Sequence, residues 1–166
     1  MCIRDSLWAA DVAAGNKFFE CTRTRPLDQF ARLAAGDLFI VARKGTGLSI
    51  AAVAEVASAA GRGVADRGVL YAMLPPVRRR ALDAYLGAAD AFDFVPFSRA
   101  WDLTQAGLTV HGVAVRIGVA EPEKRRRWDF GLVDISAESE VHQCLLDLLA
   151  QYPCRSSGLS GPGSAL

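Results

Sequence analysis

The chain is poor in lysine: of its 19 basic residues only Lys17, Lys44 and Lys124 are lysines, and 16 are arginines. Formal net charge is +1, so no overall field draws the chain to nucleic acid or to a membrane surface, and any such attraction has to rest on local patches. Histidine is scarcer still. His111 and His142 stand in no nucleophile motif, which disfavours Ser-His-Asp catalysis. Four cysteines occur, Cys2, Cys21, Cys144 and Cys154, with no CxxC pair among them. With two histidines they make a poor zinc set, and Asp90, Asp93 and Asp102 form no metal motif. Neither a metal nor a cofactor is expected. No apolar run reaches the roughly 18 residues of a membrane span, and no GxGxxG opens a helix, which removes the dinucleotide-binding fold.

What is present suits one globular domain: 51% of residues are apolar and 22% charged, close to ordinary proportions. The arginine excess, with abundant Ala and Gly, fits a GC-rich coding sequence, although arginine also suits planar, bidentate contacts. Scattered cysteines without a signal peptide point to a reducing compartment, so an intracellular, cytoplasmic protein is expected. The opening "MCIRDS" matches the translation of a common sequencing-adapter end. Residues 1–6 are therefore expected to be foreign, with an authentic first strand lost and a single domain over 7–152. A genuine start is the alternative. The tail over 153–166, rich in Ser and Gly, is expected to be disordered.

Along the chain, "LWAADVAAG" (7–15) reads as a short helix stopped by Gly15. "KFFECTRT" (17–24) reads as a strand, "LFIVAR" (38–43) as a buried strand, "KGTG" (44–47) as a tight turn and "LSIAAVAEVAS" (48–58) as the second strand of a hairpin. A loop is expected over 59–68 and a short strand over 69–74. "PPVRRRALDAYLGAA" (75–89) predicts a helix with Pro at its start and Leu82, Tyr85 and Leu86 on one face. "FDFVPF" (92–97) predicts a strand that Pro96 pushes to an edge or a bulge. "LTVHGVAVRIGVA" (108–120) predicts a long strand, and 136–152 a helix capped by Ser136. Strands dominate, so the fold class is α+β, a small mixed β-barrel with flanking helices.

Chemistry concentrates in "AAGNKFFECTRTRP" (13–26), where Lys17, Glu20, Arg23 and Arg25 surround two phenylalanines. In a regular strand Lys17 and Glu20 fall on opposite faces. They converge only if Lys17 sits at the junction of helix and strand. A Lys beside a Glu in a partly closed cleft can hold a phosphate, a carbonyl or a base edge. A surface lysine with a weak cross-strand ion pair is the plainer reading. Cys21 is either a reactive thiol beside these charges or a packing residue. Arg43 and Lys44, at the end of "LFIVAR", add charge if their turn borders the cleft, and otherwise form a solvated tip. The Arg78–Arg80 run reads as a solvated helix face. "EKRRRW" (123–128) is a basic cluster with Trp128 available for stacking, diluted by acidic neighbours.

The order of a Trp helix, Gly15-x-Lys17-x-x-Glu20, a strand introduced by Gly36–Asp37 and a small-residue strand with "AEV" resembles the ASCH domain of the PUA-like superfamily. The family's motif continues to an Arg where this chain has Thr22, with Arg23 and Arg25 nearby. The resemblance covers roughly a third of the chain. It implies a PUA-like barrel and an RNA- or nucleotide-binding module whose cleft is lined by Lys17, Glu20 and an arginine, with RNA or a nucleotide-like small molecule as partner. Two alternatives stand beside it. One is a small amidohydrolase acting on an acylated nucleoside with Lys17 and Glu20 as its catalytic residues, although such enzymes carry a Thr at the position of Glu20. The other is a protein-interaction module.

Overall fold

The strand Phe92–Asp102 organises everything around it. The computed structural model describes residues 6–22, 31–43, 48–118 and 139–157. In chain order these hold α1 (Ser6–Ala13), β1 (Phe19–Thr22), β2 (Leu38–Arg43), β3 (Ser49–Val56), β4 (Gly61–Val64), α2 (Gly68–Tyr71), α3 (Pro76–Leu86), β5 (Phe92–Asp102), α4 (Val110–Arg116), α5 (Glu140–Leu149) and β6 (Cys154–Ser156). All pairing is antiparallel. One edge of β5 takes β3 and then β4; the other takes β6 and then β1, and β2 extends the sheet beyond β3. The result is the expected α+β class, a curled half-barrel sheet with helices on its two faces.

Two bulges create the curl. Val41 faces Ala52 and Ala42 faces Ile50, which leaves Ala51 as an extra residue in β3. Glu55 faces Arg99 and Val56 faces Phe97, which leaves Ser98 extra in β5. An extra residue reverses the in–out phase and bends the strand. That explains why "SIAAVAEV" alternates imperfectly: Ile50 and Val53 pack on one side, while Ala51, Ala52 and Ala54 pack on the other. The first side meets Trp101, Leu103 and the stripes of α4 and α5. The second meets α1 through Ala9, Val12 and Ala13, and α3 through Leu82 and Leu86. Alanines on both partners let α1 lie close against the sheet.

Several segments differ from their sequence reading. Residues 110–116 are helical: the Thr109 hydroxyl accepts from the Gly112 N–H at 3.0 Å, and burial falls on Val113, Ala114 and Ile117, a helical spacing. The β-branched residues favour a strand, but the Thr109 cap and burial at helical spacing override that preference. Residues 68–71 are likewise helical, and the loop over 59–68 contains β4. Helix α5 is capped by Ser139, whose hydroxyl accepts from the His142 N–H at 3.1 Å; Ser136 lies outside the described residues. Within the expected disordered tail, Cys154–Ser156 form β6, which finds an open edge on β5. Pro96 sits within a strand paired on both edges. Its missing N–H does no harm, because it falls where β3 gives way to β4 and the Pro96 carbonyl still accepts from Ala57. Of the expected foreign hexapeptide, residues 1–5 lie outside the described residues, as do the turn at 44–47, the cluster at 123–128 and residues 158–166.

Gly61 faces Phe94 in the ladder, and a Cβ there would overlap the Phe94 ring edge. The ring covers the glycine as a cross-strand lid. Gly61→Ala is expected to lower unfolding free energy by about 1–3 kcal/mol, the usual scale of overpacking. Urea denaturation followed by circular dichroism measures this, and an unchanged midpoint contradicts it.

Candidate functional site

The site begins where α1 stops. The N–H groups of Ala14, Gly15 and Asn16 return to the carbonyls of Ala10, Val12 and Asp11, and Gly15 takes φ +73°. That left-handed turn reverses the chain at a residue without a Cβ. Lys17 therefore emerges before β1 begins, and its side chain runs back along α1. Its Nζ stands 4.6 Å from the Trp8 ring centroid, 5.0 Å from that of Phe19 and 3.2 Å from Glu20 Oε2. The convergence that a regular strand forbids is achieved at the helix–strand junction.

Burial is what distinguishes this pair. Lys17 is 2% exposed and Glu20 8%. An ammonium taken from water costs several kcal/mol before compensation. Here one carboxylate oxygen and two aromatic faces offset that cost, the aromatic contacts contributing on the order of 0.5–2 kcal/mol each. Among the described residues Glu20 is the sole hydrogen-bonding partner of Lys17, and a lysine has three donors. The ammonium lies beneath, and the carboxylate side chain, 11% exposed, is the member that reaches the surface. A partner arriving from solvent meets Glu20 first.

The neighbour Cys21 lines the interior on the other side of β1. Burial, reinforced by the Glu20 charge and opposed by Lys17, pushes its thiol up from 9.0 to about 12. Of the two readings of Cys21, packing is the one that this environment supports, since a protonated buried thiol is not a nucleophile. The Tyr85 hydroxyl donates to the Cys21 carbonyl at 3.3 Å, which ties α3 to β1 beside the site.

The remaining candidates are distributed differently. Arg43 ends β2 opposite Ser49, whereas Lys17 lies by Phe18, whose carbonyl accepts from Phe97 facing Val56. Ser49 and Val56 are opposite ends of β3, on the order of 20 Å apart at a strand's rise per residue. The structure thus joins Lys17 to Glu20 and places Arg43 elsewhere. Arg23, Arg25 and Lys44 lie outside the described residues. Thr22, at the motif's arginine position, is half-buried in β1. In the Arg78–Arg80 run, Arg79 and Arg80 are solvated, but Arg78 pairs at 3.0 Å with Asp11, which is 5% exposed at its side chain. The signal for that pair was an aspartate inside the apolar run of α1. Among the described residues, no group of three His, Cys, Asp or Glu side chains is placed to hold a metal ion. In the same residues, no helix is long and apolar enough to cross a membrane.

No protein-family model and no curated protein matches the chain. Among solved structures, the chain is similar to ASCH from Zymomonas mobilis at 14% identity, over 89% of this chain and 92% of that one, with a TM-score of 0.48. A point mutant of the same protein is similar at 14% identity, over 89% and 95% of the two chains, with a TM-score of 0.48. The similarity is one of fold alone.

Three measurements test the site's physical description. Lys17→Met strands a buried carboxylate and is expected to cost about 3–5 kcal/mol, with the double variant Lys17→Met, Glu20→Leu recovering part of it. A denaturation cycle on the four proteins showing independent effects would contradict the pairing. Cys21 should resist thiol reagents at pH 8 while exposed Cys144 and Cys154 react, as mass spectrometry of labelled peptides would show. Because the Cys21 thiol is raised on folding, its contribution is intact below about 9 and is lost as pH rises through about 12. Stability should therefore fall across that alkaline window, and Cys21→Ser should blunt the fall.

Proposed function

We propose that the chain is an RNA- or nucleotide-binding module of the PUA-like kind, with its ligand site at the Lys17–Glu20 corner. The observation that supports this reading is the buried charge itself. Folding does not need a lysine among Trp8, Phe19 and Glu20, and buried ion pairs are weak sources of stability. Charges held at such cost concentrate at functional sites.

The arrangement suits a base edge. Glu20 presents a carboxylate that accepts hydrogen bonds from amino or imino groups, as carboxylates do with cytosine N4. Lys17 clamps one oxygen from below and so fixes the plane in which the other accepts. Phe18 and Phe19 are both buried, so they stiffen the strand and offer no stacking platform. Selection among bases therefore falls to Glu20, while sequence-independent affinity falls to cations at the rim.

Binding of a short fluorescein-labelled single-stranded oligoribonucleotide, followed by anisotropy across a salt titration, tests the reading. Glu20→Gln keeps the size and one acceptor but adds a donor, and it is expected to change the order of preference among homopolymeric oligomers. Lys17→Met is expected to weaken binding at least tenfold, and Arg79→Ala, a change on the solvated face of α3, to weaken it less than twofold. Equal losses for Lys17→Met and Arg79→Ala would mean diffuse surface attraction. If Lys17→Met is too unstable to assay, an unchanged preference in Glu20→Gln alone refutes the site.

A further inference from the structure

The row of residues that crosses the sheet beside the site ends in an unexpected charge. Phe39 in β2 faces Ala54 in β3, Ala54 faces Ala100 in β5, and Ala100 faces Arg155 in β6. Residues in register across antiparallel strands share a face. Phe39, Ala54 and Ala100 are buried in the core beneath α1, so the position of Arg155 continues an apolar row. Its side chain lies across Gly15. A Cβ on Gly15 would stand 2.6 Å from Arg155 Cδ, 3.1 Å from its Cβ and 3.5 Å from its Cγ. The methylene stem covers the glycine, which leaves the guanidinium at the rim, as long cationic side chains do at apolar edges.

Position as much as charge marks out this arginine: Arg43, Arg79, Arg80 and Arg116 also have no carboxylate partner among the described residues, but they lie on β2, α3 and α4, away from Gly15. Arg62, Arg67, Arg78 and Arg99 are each committed to a carboxylate: Asp93, Asp83, Asp11 and Glu55. Glu55 is the acid nearest along β3, but it belongs to the opposite face, where Arg99 and the Ser98 hydroxyl hold it. Among the described residues Arg155 has no carboxylate partner. Lys17 and Glu20 pair with one another, so among the described residues of the corner the uncompensated cation is Arg155, which packs on the residue two positions before Lys17.

We propose that Arg155 is the anion-holding residue of this corner, taking a phosphate group of a ligand whose base meets Glu20. The assignment rests on the reading of the Lys17–Glu20 corner given above, and it names the residue that meets the phosphate which an RNA or nucleotide ligand carries. A guanidinium offers two parallel donors to phosphate. Gly15 is then required twice, once for its left-handed turn and once as the seat for the arginine stem.

The probe is inorganic pyrophosphate, titrated into the wild-type chain, Arg155→Gln and Arg80→Gln by isothermal calorimetry at low salt. Neither position is buried, so both variants keep the fold. Arg155→Gln is expected to weaken pyrophosphate at least tenfold and Arg80→Gln less than twofold. No binding by the wild type, no loss in Arg155→Gln, or equal losses in the two variants overturns the inference. A parallel titration with the labelled oligoribonucleotide separates the two claims. Oligomer binding that survives while the pyrophosphate arm fails overturns the role of Arg155 alone. Arg155-dependent pyrophosphate binding with no oligomer bound overturns the RNA reading and keeps the anion site.

Discussion

The double use of both edges of β5 is the constraint on which the structure depends. An eleven-residue strand is long enough to pair with two partners in succession on each side. Its first half is held by β1 and β4, its second by β3 and β6. The Ser98 bulge lies between the halves and turns one against the other. The curled sheet parts the two cores, one on the face under α1 and α3, the other on the face under α4 and α5. It also brings the start of β1 and the end of β6 next to each other on one edge, where Phe18 receives a hydrogen bond from Phe97 and Ser157 donates one to Ser98. The candidate site stands at that meeting point.

From this constraint the site's chemistry follows. Because β1 is short and joins β5 only at Asp93–Pro96, the chain has to turn sharply out of α1 to reach it. Gly15 provides the turn, and the turn directs Lys17 inward to the Trp8 face. A buried cation then demands a counter-charge within reach, and Glu20, three residues on, is the acid that β1 supplies. The pair is thus a consequence of topology, while its retention in an apolar setting is what points to a ligand.

Much of this was legible in the chain. "LFIVAR" and "AAVAEV" carry enough β-branched and apolar density to declare a buried hairpin, and "PPVRRRALDAYL" shows its proline start and its Leu82–Leu86 stripe. The order from Trp helix to charged strand was readable from Gly15, Lys17 and Glu20. Other parts were not. "VHGVAVRI" is rich in residues that favour strands, and its helix depends on the Thr109 cap and on packing against Trp101 and Leu145. The short strands β4 and β6 have little sequence signal, since "GRGV" and "CRS" are ordered by an available edge of β5 and not by their own propensity. Arg155 was invisible for the same reason: nothing local connects residue 155 to residue 15, and only the packing of its stem on Gly15, once β6 is paired to β5, does.

The central claim is that the corner formed by Gly15, Lys17, Glu20 and Arg155 is where a ligand binds. Hydrogen–deuterium exchange of the chain with and without a short single-stranded oligoribonucleotide tests it most directly, because the whole backbone reports at once. The account predicts slowed exchange confined to two stretches distant in sequence, residues 15–22 and 154–157. Slowed exchange over the arginine run of α3, or no change at either stretch while the oligomer is bound, would contradict it.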